Sequence, residues 1–151
     1  MAKEIERKYL VKDDSYKGMA TGIVEIAQGY LSTDPDRTVR IRIIGENANI
    51  TVKTRNHGAE RNEWEYEIPA DEAKEILEEA CVGFISKTRY LIPESHGLMW
   101  EVDEFHGANE GLKVAEIELP APDAAFSLLP FVGEEVTGDP AYYNSNLSSQ
   151  A

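Results

Sequence analysis

The sequence contains one cysteine, Cys81, among its 151 residues, so an internal disulfide is excluded. It has no apolar run that approaches the length of roughly 20 residues that a membrane-spanning helix requires. A secretion signal has an apolar stretch after its first residues, and this sequence has none there. These absences predict a cytoplasmic protein that makes no use of a membrane.

Basic residues are also scarce. The chain has 15 Lys and Arg against 28 Asp and Glu, which gives a formal net charge of −13. This charge argues against a general nucleic-acid-binding surface, because an acidic surface repels the phosphate backbone. A small anionic ligand remains compatible with this charge if the basic residues are gathered in one place. The length predicts a single domain, 1–151, that is large enough to bury a core.

The chain is rich in segments in which charged and apolar residues alternate, as they do in half-buried β-strands. Eight such segments are predicted as strands: 2–12, 23–31, 37–44, 49–55, 61–68, 84–92, 98–105 and 113–119. An apolar stripe at helical spacing predicts one long helix, opened at 69–71 and ending near Val82. Shorter helices are expected near 15–18, over 123–129 and after Asp139-Pro140. The predicted fold class is α+β, mainly β.

The first strand places Glu4, Glu6 and Lys8 on one face. Carboxylates two residues apart lie roughly 7 Å from each other and repel by about 2 kcal/mol at an effective dielectric near 20. Solvent or a bound cation would relieve this repulsion. One such pattern is most often a solvated edge strand, so its recurrence on other strands decides the interpretation.

The charges of the predicted strands are sorted by sign. Acidic pairs occupy four strands: Glu4 and Glu6, Glu63 and Glu65, Glu101 and Asp103, and Glu116 and Glu118. Basic residues occupy three strands: Arg40, Arg42, Lys53, Arg55, Lys87 and Arg89. A solvated surface mixes its signs. Closure of eight antiparallel strands into a barrel would instead turn these faces inward and the apolar faces outward, under the helices.

Such an interior has one acidic and one basic wall. Carboxylates without a cluster of His or Cys select hard cations such as Mg²⁺ or Mn²⁺. Clustered Arg and Lys require a polyanion, and the guanidinium fork matches phosphate oxygens. A metal-bound polyphosphate satisfies both walls at once.

In order along the chain, these motifs resemble those of the CYTH domain, or triphosphate tunnel metalloenzyme, superfamily. The signature E-x-E-x-K matches Glu4, Glu6 and Lys8. The other matching segments are 28–31, 40–42, Lys53, 63–65, 87–90, 101–103, 116–118 and 133–137. The resemblance implies an eight-stranded antiparallel tunnel in which an enzyme hydrolyses a small-molecule triphosphate with Mg²⁺ or Mn²⁺. Short bacterial members of this size resemble inorganic triphosphatases, which makes tripolyphosphate the expected substrate.

The resemblance also implies roles for individual residues. The implied metal ligands are Glu4, Glu6, Asp103, Glu116 and Glu118. The implied phosphate-binding residues are Lys8, Arg40, Arg42, Lys53, Lys87 and Arg89. Catalysis is expected from Lys87, beside the transferring group, with Glu6 and Lys8, while Glu63 and Glu65 support the basic side chains. Arg55 matches no position of the family pattern.

Two alternatives stay open at this point. A class IV-type adenylate cyclase would use the same phosphate-binding residues to convert ATP to cyclic AMP and pyrophosphate. It would also need a nucleoside pocket, which no residue of the sequence indicates. A non-catalytic polyphosphate-binding module would bind its ligand without a metal. The three histidines fall in predicted turns, where we expect them to be solvent-exposed.

Overall fold

The computed structural model describes residues 2–148 and is built on one antiparallel sheet. Its strands are β1 (Ala2–Val11), β2 (Gly22–Ser32), β3 (Thr38–Ile44), β4 (Asn47–Lys53), β5 (Glu60–Ile68), β6 (Gly83–Pro93), β7 (Met99–Phe105), β8 (Lys113–Glu118) and β9 (Val132–Glu135). Its helices are α1 (Tyr16–Met19), α2 (Ala70–Glu79) and α3 (Asn144–Ser148), with 3₁₀ turns at Gly107–Asn109 and Pro140–Tyr142. None of the helices within 2–148 is both long and apolar enough to cross a membrane.

Eight of the strands close into a barrel in the order β5-β4-β3-β2-β6-β7-β8-β1, and β1 pairs again with β5. The strand β1 closes the ring because its first residues pair with β5, at Glu4 opposite Arg61, while residues further along pair with β8. Its last residues also pair with β9, at Val11 opposite Val132. The predicted eight-stranded antiparallel barrel is confirmed, and β9 is an addition that the alternation did not reveal.

One side of the barrel is covered by α2. Its apolar stripe buries Ala73 against Ile41 and Ala48 on the outer faces of β3 and β4. Close approach also requires Gly29 on β2, since a Cβ there would lie 2.7 Å from the Leu77 side chain. The helix ends at Glu79, earlier than predicted, because residues 80–82 turn back to β2 and Val82 N–H donates to the Tyr30 carbonyl at 2.8 Å.

The opposite side is covered by α1 and the segment 120–131. Trp100 is fully buried there, edge-to-face with Phe126 and Phe131 at 6.0 Å each. Its indole N–H donates to the Ser127 carbonyl at 3.0 Å. Trp100 therefore points outward into a covered core, as the alternation of β7 predicts.

The helix predicted over 123–129 is wrong. The chain is irregular there, and Ser127 N–H donates to the buried carboxylate of Glu94 at 2.6 Å instead of to a helical carbonyl. Tertiary contacts of Phe126 and Ser127 with the barrel override the local helical pattern. The predicted last helix begins as a 3₁₀ turn, in which Asp139 accepts from Ala141 N–H at 3.0 Å, and α3 follows from Asn144.

Candidate active site

The barrel encloses a cavity of about 250 Å³ with a strongly charged wall. Seven carboxylates line it: Glu4, Glu6, Glu63, Glu65, Glu101, Glu116 and Glu118. Seven cationic side chains line it as well: Lys8, Arg40, Arg42, Lys53, Arg61, Lys87 and Arg89. The cavity lining therefore matches a ligand that carries both positive and negative charge.

The order of strands around the ring separates the two signs. The strands β7, β8, β1 and β5 are neighbours and carry the carboxylates. The strands β6, β2, β3 and β4 are also neighbours, and three of them, β6, β3 and β4, carry most of the cations. The exceptions are Lys8 on β1 and Arg61 on β5. An acidic half of the barrel thus faces a basic half across the cavity.

Every residue that the sequence predicted for the site lines this cavity except Asp103. Asp103 is 1% exposed and lies behind two of the cations. It accepts from Arg89 Nε and Nη2 at 2.8 and 2.9 Å, and lies 2.7 Å from Lys87 Nζ. Both of its oxygens are engaged, so this arrangement favours a role in positioning the cations over the implied role of metal ligand.

The expectation that Arg55 shares the inward face with Lys53 is wrong. The strand β4 ends at Lys53, and the exposed Arg55 turns outward to pair with Asp36. The guanidinium of Arg55 does not line the main cavity. The missing family match of this residue is consistent with its position outside the cavity.

Two lysines of the cavity neutralise carboxylates of the acidic half. Lys53 Nζ donates to both oxygens of Glu4 at 2.9 and 3.0 Å, and Lys8 Nζ lies 3.3 Å from Glu116 Oε1. Burial alone would raise the pKa of Glu4, but Lys53 and Arg40 outweigh it and the pKa is lowered. For Glu116, burial is likewise outweighed by Lys8, Arg89 and Lys87, and the pKa is well below its usual range.

Glu6 has the opposite electrostatic environment. Burial, Glu116 and Glu4 raise the pKa of Glu6 well above its ordinary value, and the opposing effects of Lys8 and Lys53 are smaller. Burial and Glu4 also raise the pKa of Glu118. This part of the acidic wall has more negative charge than the neighbouring lysines compensate, so it favours a proton or a bound cation.

The basic wall is crowded to a similar degree. Lys87 is fully buried, and burial, with the nearby Arg89 and Arg42, lowers its pKa to about 7 despite the opposing charge of Asp103. Burial, Arg40 and Arg89 lower the pKa of Arg42 to about 10. An anion entering between these groups would relieve their mutual repulsion.

The donor chemistry of the acidic wall fits a hard divalent cation, because all of its ligands are carboxylate oxygens. Among residues 2–148, no three His, Cys, Asp or Glu side chains are already arranged to hold a metal ion. Two of these carboxylates are instead paired with lysines, Glu4 with Lys53 and Glu116 with Lys8. A metal would therefore bind as these lysines exchange their carboxylate partners for another anion.

One end of the barrel interior is filled by apolar side chains. Ile85, Phe105 and Val114, which share the inward faces of Lys87, Asp103 and Glu116, pack with Leu147 of α3. Phe105 also lies beneath Lys87, whose Nζ is 5.4 Å from the ring centroid. The helix α3 therefore borders the charged cavity at its inner end.

Several cavity residues were missing from the predicted site. Glu101 was predicted to face inward but was given no role, and Arg61 has the same strand alternation as Glu63 and Glu65, so the pattern contained a signal for both. Gln28 does not line the cavity but accepts from Arg42 Nε, and its polar side chain within a largely apolar strand was a weaker signal. Asn144 lies on a short helix, where strand alternation gives no information.

The family model described as CYTH domain matches residues 2–145 of this chain. The chain belongs to the CYTH family. Two curated relatives in the family are inorganic triphosphatases. The relative from Acetivibrio thermocellus is 50% identical over 148 residues, which are 97% of this chain and 94% of the relative. The relative from Nitrosomonas europaea is 36% identical over 149 residues, which are 96% of each chain.

Solved structures in the CYTH family have the same fold. The crystal structure of an inorganic triphosphatase is 33% identical, covers 97% of each chain and superposes with a TM-score of 0.66. A candidate adenylyl cyclase from Hippeastrum with a dominant triphosphatase activity has a TM-score of 0.63 at 16% identity, over 79% of this chain and 80% of its own. At that identity, the second comparison concerns the fold alone.

Proposed function

We propose that this chain is a metal-dependent inorganic triphosphatase that hydrolyses tripolyphosphate in the barrel cavity. The observation that carries the proposal is the single cavity in which an acidic and a basic half face each other. Two relatives at 50% and 36% identity, both inorganic triphosphatases, support tripolyphosphate as the substrate.

In the reaction, a water oxygen forms a bond to a terminal phosphorus and the bond from that phosphorus to its bridging oxygen breaks. The products are orthophosphate and pyrophosphate. Such a transfer needs positioning and charge stabilisation more than covalent chemistry. Arg40, Arg42 and Arg89 would bind the phosphate oxygens, joined by Lys8 and by Lys53 once it leaves Glu4. Lys87 would donate a hydrogen bond to the transferring group.

The proposed metal ligands are Glu4, Glu6, Glu116 and Glu118, with Mg²⁺ or Mn²⁺ as the ion. When bound, the ion would neutralise phosphate charge and lower the pKa of a water molecule. Glu63, which lies 3.4 Å from Lys53 Nζ, and Glu65, which lies 3.6 Å from Arg40 Nη2, would support those cations.

The test is a parallel assay of tripolyphosphate, ATP and thiamine triphosphate with Mg²⁺, Mn²⁺ or EDTA, in which phosphate, pyrophosphate and cyclic AMP are measured. We expect metal-dependent phosphate release that is fastest on tripolyphosphate. Cyclic AMP from ATP would assign a cyclase instead. Tripolyphosphate binding in EDTA without any turnover would identify a binding module.

A variant pair tests the acidic wall in the same assay. Glu6→Gln should abolish most of the metal-dependent activity, because a carboxylate at the centre of the wall is lost. Glu67→Gln, on the exposed end of β5 and away from the cavity lining, is the matched control and should keep it. Full activity of Glu6→Gln would contradict the assignment.

A further inference from the structure

Lys87 is held between the barrel and the C-terminal helix. Its Nζ lies 2.7 Å from Asp103 Oδ2 on β7 and donates to Asn144 Oδ1 at the start of α3 at 2.8 Å. An ammonium has three hydrogens, so these two partners leave one for a ligand in the cavity. The direction of that remaining hydrogen depends on both partners, and one of them is Asn144.

Lys8 is held in the same manner on the other side of the cavity. Its Nζ lies 3.3 Å from Glu116 Oε1 on β8 and donates to the Tyr142 carbonyl at 3.0 Å. Each lysine therefore has one carboxylate from the barrel and one neutral oxygen from residues 142–144. A neutral acceptor orients an ammonium without cancelling more of its charge, which suits a group that must still attract phosphate.

The Asn144 side chain is itself tied to the basic wall. The fully buried Gln28 has its Nε2 3.5 Å from Asn144 Oδ1, and the same Nε2 donates to the Tyr30 hydroxyl at 3.0 Å. Gln28 Oε1 accepts from Arg42 Nε at 2.9 Å. A buried polar network thus connects α3 to two of the proposed phosphate-binding cations, Lys87 and Arg42.

We propose that Asn144 is a positioning residue for triphosphate hydrolysis, and that the segment 142–144 completes the active site by fixing Lys87 and Lys8. This inference rests on the proposed function. Asn144 would act through Lys87, the group expected beside the transferring phosphate, and so on the chemical step more than on initial binding. The C-terminal segment is then part of the active site, and it also fills one end of the barrel through Leu147.

The test compares kcat and KM for tripolyphosphate with saturating Mg²⁺ in two Asn144 variants. Asn144→Leu removes the acceptor at similar size, and Asn144→Ser is too short to reach Lys87 and introduces no clash. We expect kcat to fall by about 10- to 100-fold in both, as misplacement of a catalytic group by about 1 Å can do. KM should change by much less, and the melting temperature of Asn144→Ser should stay near that of the wild type.

Asn146→Leu is the matched control, because the Asn146 amide donates to the Pro140 carbonyl at 2.7 Å and does not line the cavity. It should retain the wild-type kcat. If the wild type is active and Asn144→Ser has an unchanged kcat, the inference falls while the proposed function stands. If the wild type hydrolyses no triphosphate, both fall.

Discussion

Asp103 joins two buried cations of the cavity, with Lys87 Nζ 2.7 Å from one oxygen and Arg89 Nε 2.8 Å from the other. Lys87 and Asp103 are 0% and 1% exposed in their side chains, so neither is solvated. Burial alone would raise the pKa of Asp103, but Lys87 and Arg89 outweigh it and lower that pKa. A carboxylate buried between two cations is a structural requirement for holding both charges inside the barrel.

The first prediction concerns this triad. Asp103→Asn should destabilise the protein by about 3–5 kcal/mol, because it removes the counter-charge of the buried Lys87 and one of the two carboxylate partners of Arg89. Asp36→Asn, which removes the exposed partner of Arg55, is the control and should change the stability much less. Chemical denaturation of the two variants measures both values. Equal losses would show that burial of the triad does not determine its contribution.

The second prediction concerns stability against pH. Lys87 has a pKa of about 7 in the folded chain and an ordinary value of 10.5, so between these values the unfolded chain binds more protons. Because stability rises with pH wherever the unfolded state binds more protons, Lys87 should add a positive slope of at most about 1.4 kcal/mol per pH unit. Below pH 7 the penalty of its burial is fully present.

Lys87→Met removes that slope, and Lys74→Met on the exposed face of α2 provides the control. The free energy of unfolding should be measured from pH 7 to 9.5 in the wild type and both variants. We expect the wild type and Lys74→Met to share the slope that Lys87→Met lacks. An identical pH dependence in all three would contradict the lowered pKa.

The inward direction of the charged residues could be predicted from the sequence, because strand alternation is a local property. For Arg40 with Arg42, and for Glu116 with Glu118, the spacing of two residues was enough to predict a shared inward face. To predict that the acidic strands adjoin one another, and that the basic strands lie together in the other half of the barrel, the order of the strands was needed as well. The pairing of β2 with β6, at Gly22 opposite Leu91, joins residues far apart in the chain and left no local signal.

The C-terminal part of the site was beyond prediction for a different reason. Asn144 enters the cavity from a five-residue helix, so no periodic pattern marks it. The segment 123–129, which contains Phe126, was predicted as a helix, although the contact of Phe126 with Trp100 determines its conformation. Local patterns failed at both of these places, because tertiary contacts with the barrel decide the backbone there.

The third prediction concerns Glu6 without metal. Its pKa lies well above the ordinary 4.5, so in that interval the folded chain binds more protons than the unfolded chain, and stability falls as pH rises. Glu6→Gln removes this loss and should raise the melting temperature at pH 8 in EDTA. The gain should shrink towards pH 4.5.

Mg²⁺ supplies a second measurement on the same variant. Addition of Mg²⁺ should raise the melting temperature of the wild type, because a cation relieves the repulsion among Glu6, Glu116 and Glu4, and should raise that of Glu6→Gln much less. Glu67→Gln should behave as the wild type. A Glu6→Gln protein that is less stable than the wild type at pH 8 in EDTA would refute the crowding of the acidic wall.

The last prediction is that Mg²⁺ and tripolyphosphate assist each other's binding. In the structure, Lys53 holds Glu4 at 2.9 Å and Lys8 lies 3.3 Å from Glu116, so each ligand alone must break ion pairs that the other would replace. The dissociation constant of a non-hydrolysable imido analogue of tripolyphosphate, measured by calorimetry, should fall about 10-fold or more when Mg²⁺ is present, within the usual range of coupling between sites. By reciprocity, the analogue should tighten Mg²⁺ binding by the same factor.

Glu4→Gln should reduce the coupling, because Lys53 is then already released for the phosphates. Equal affinities for the analogue in Mg²⁺ and in EDTA would mean that the internal ion pairs do not link the two walls.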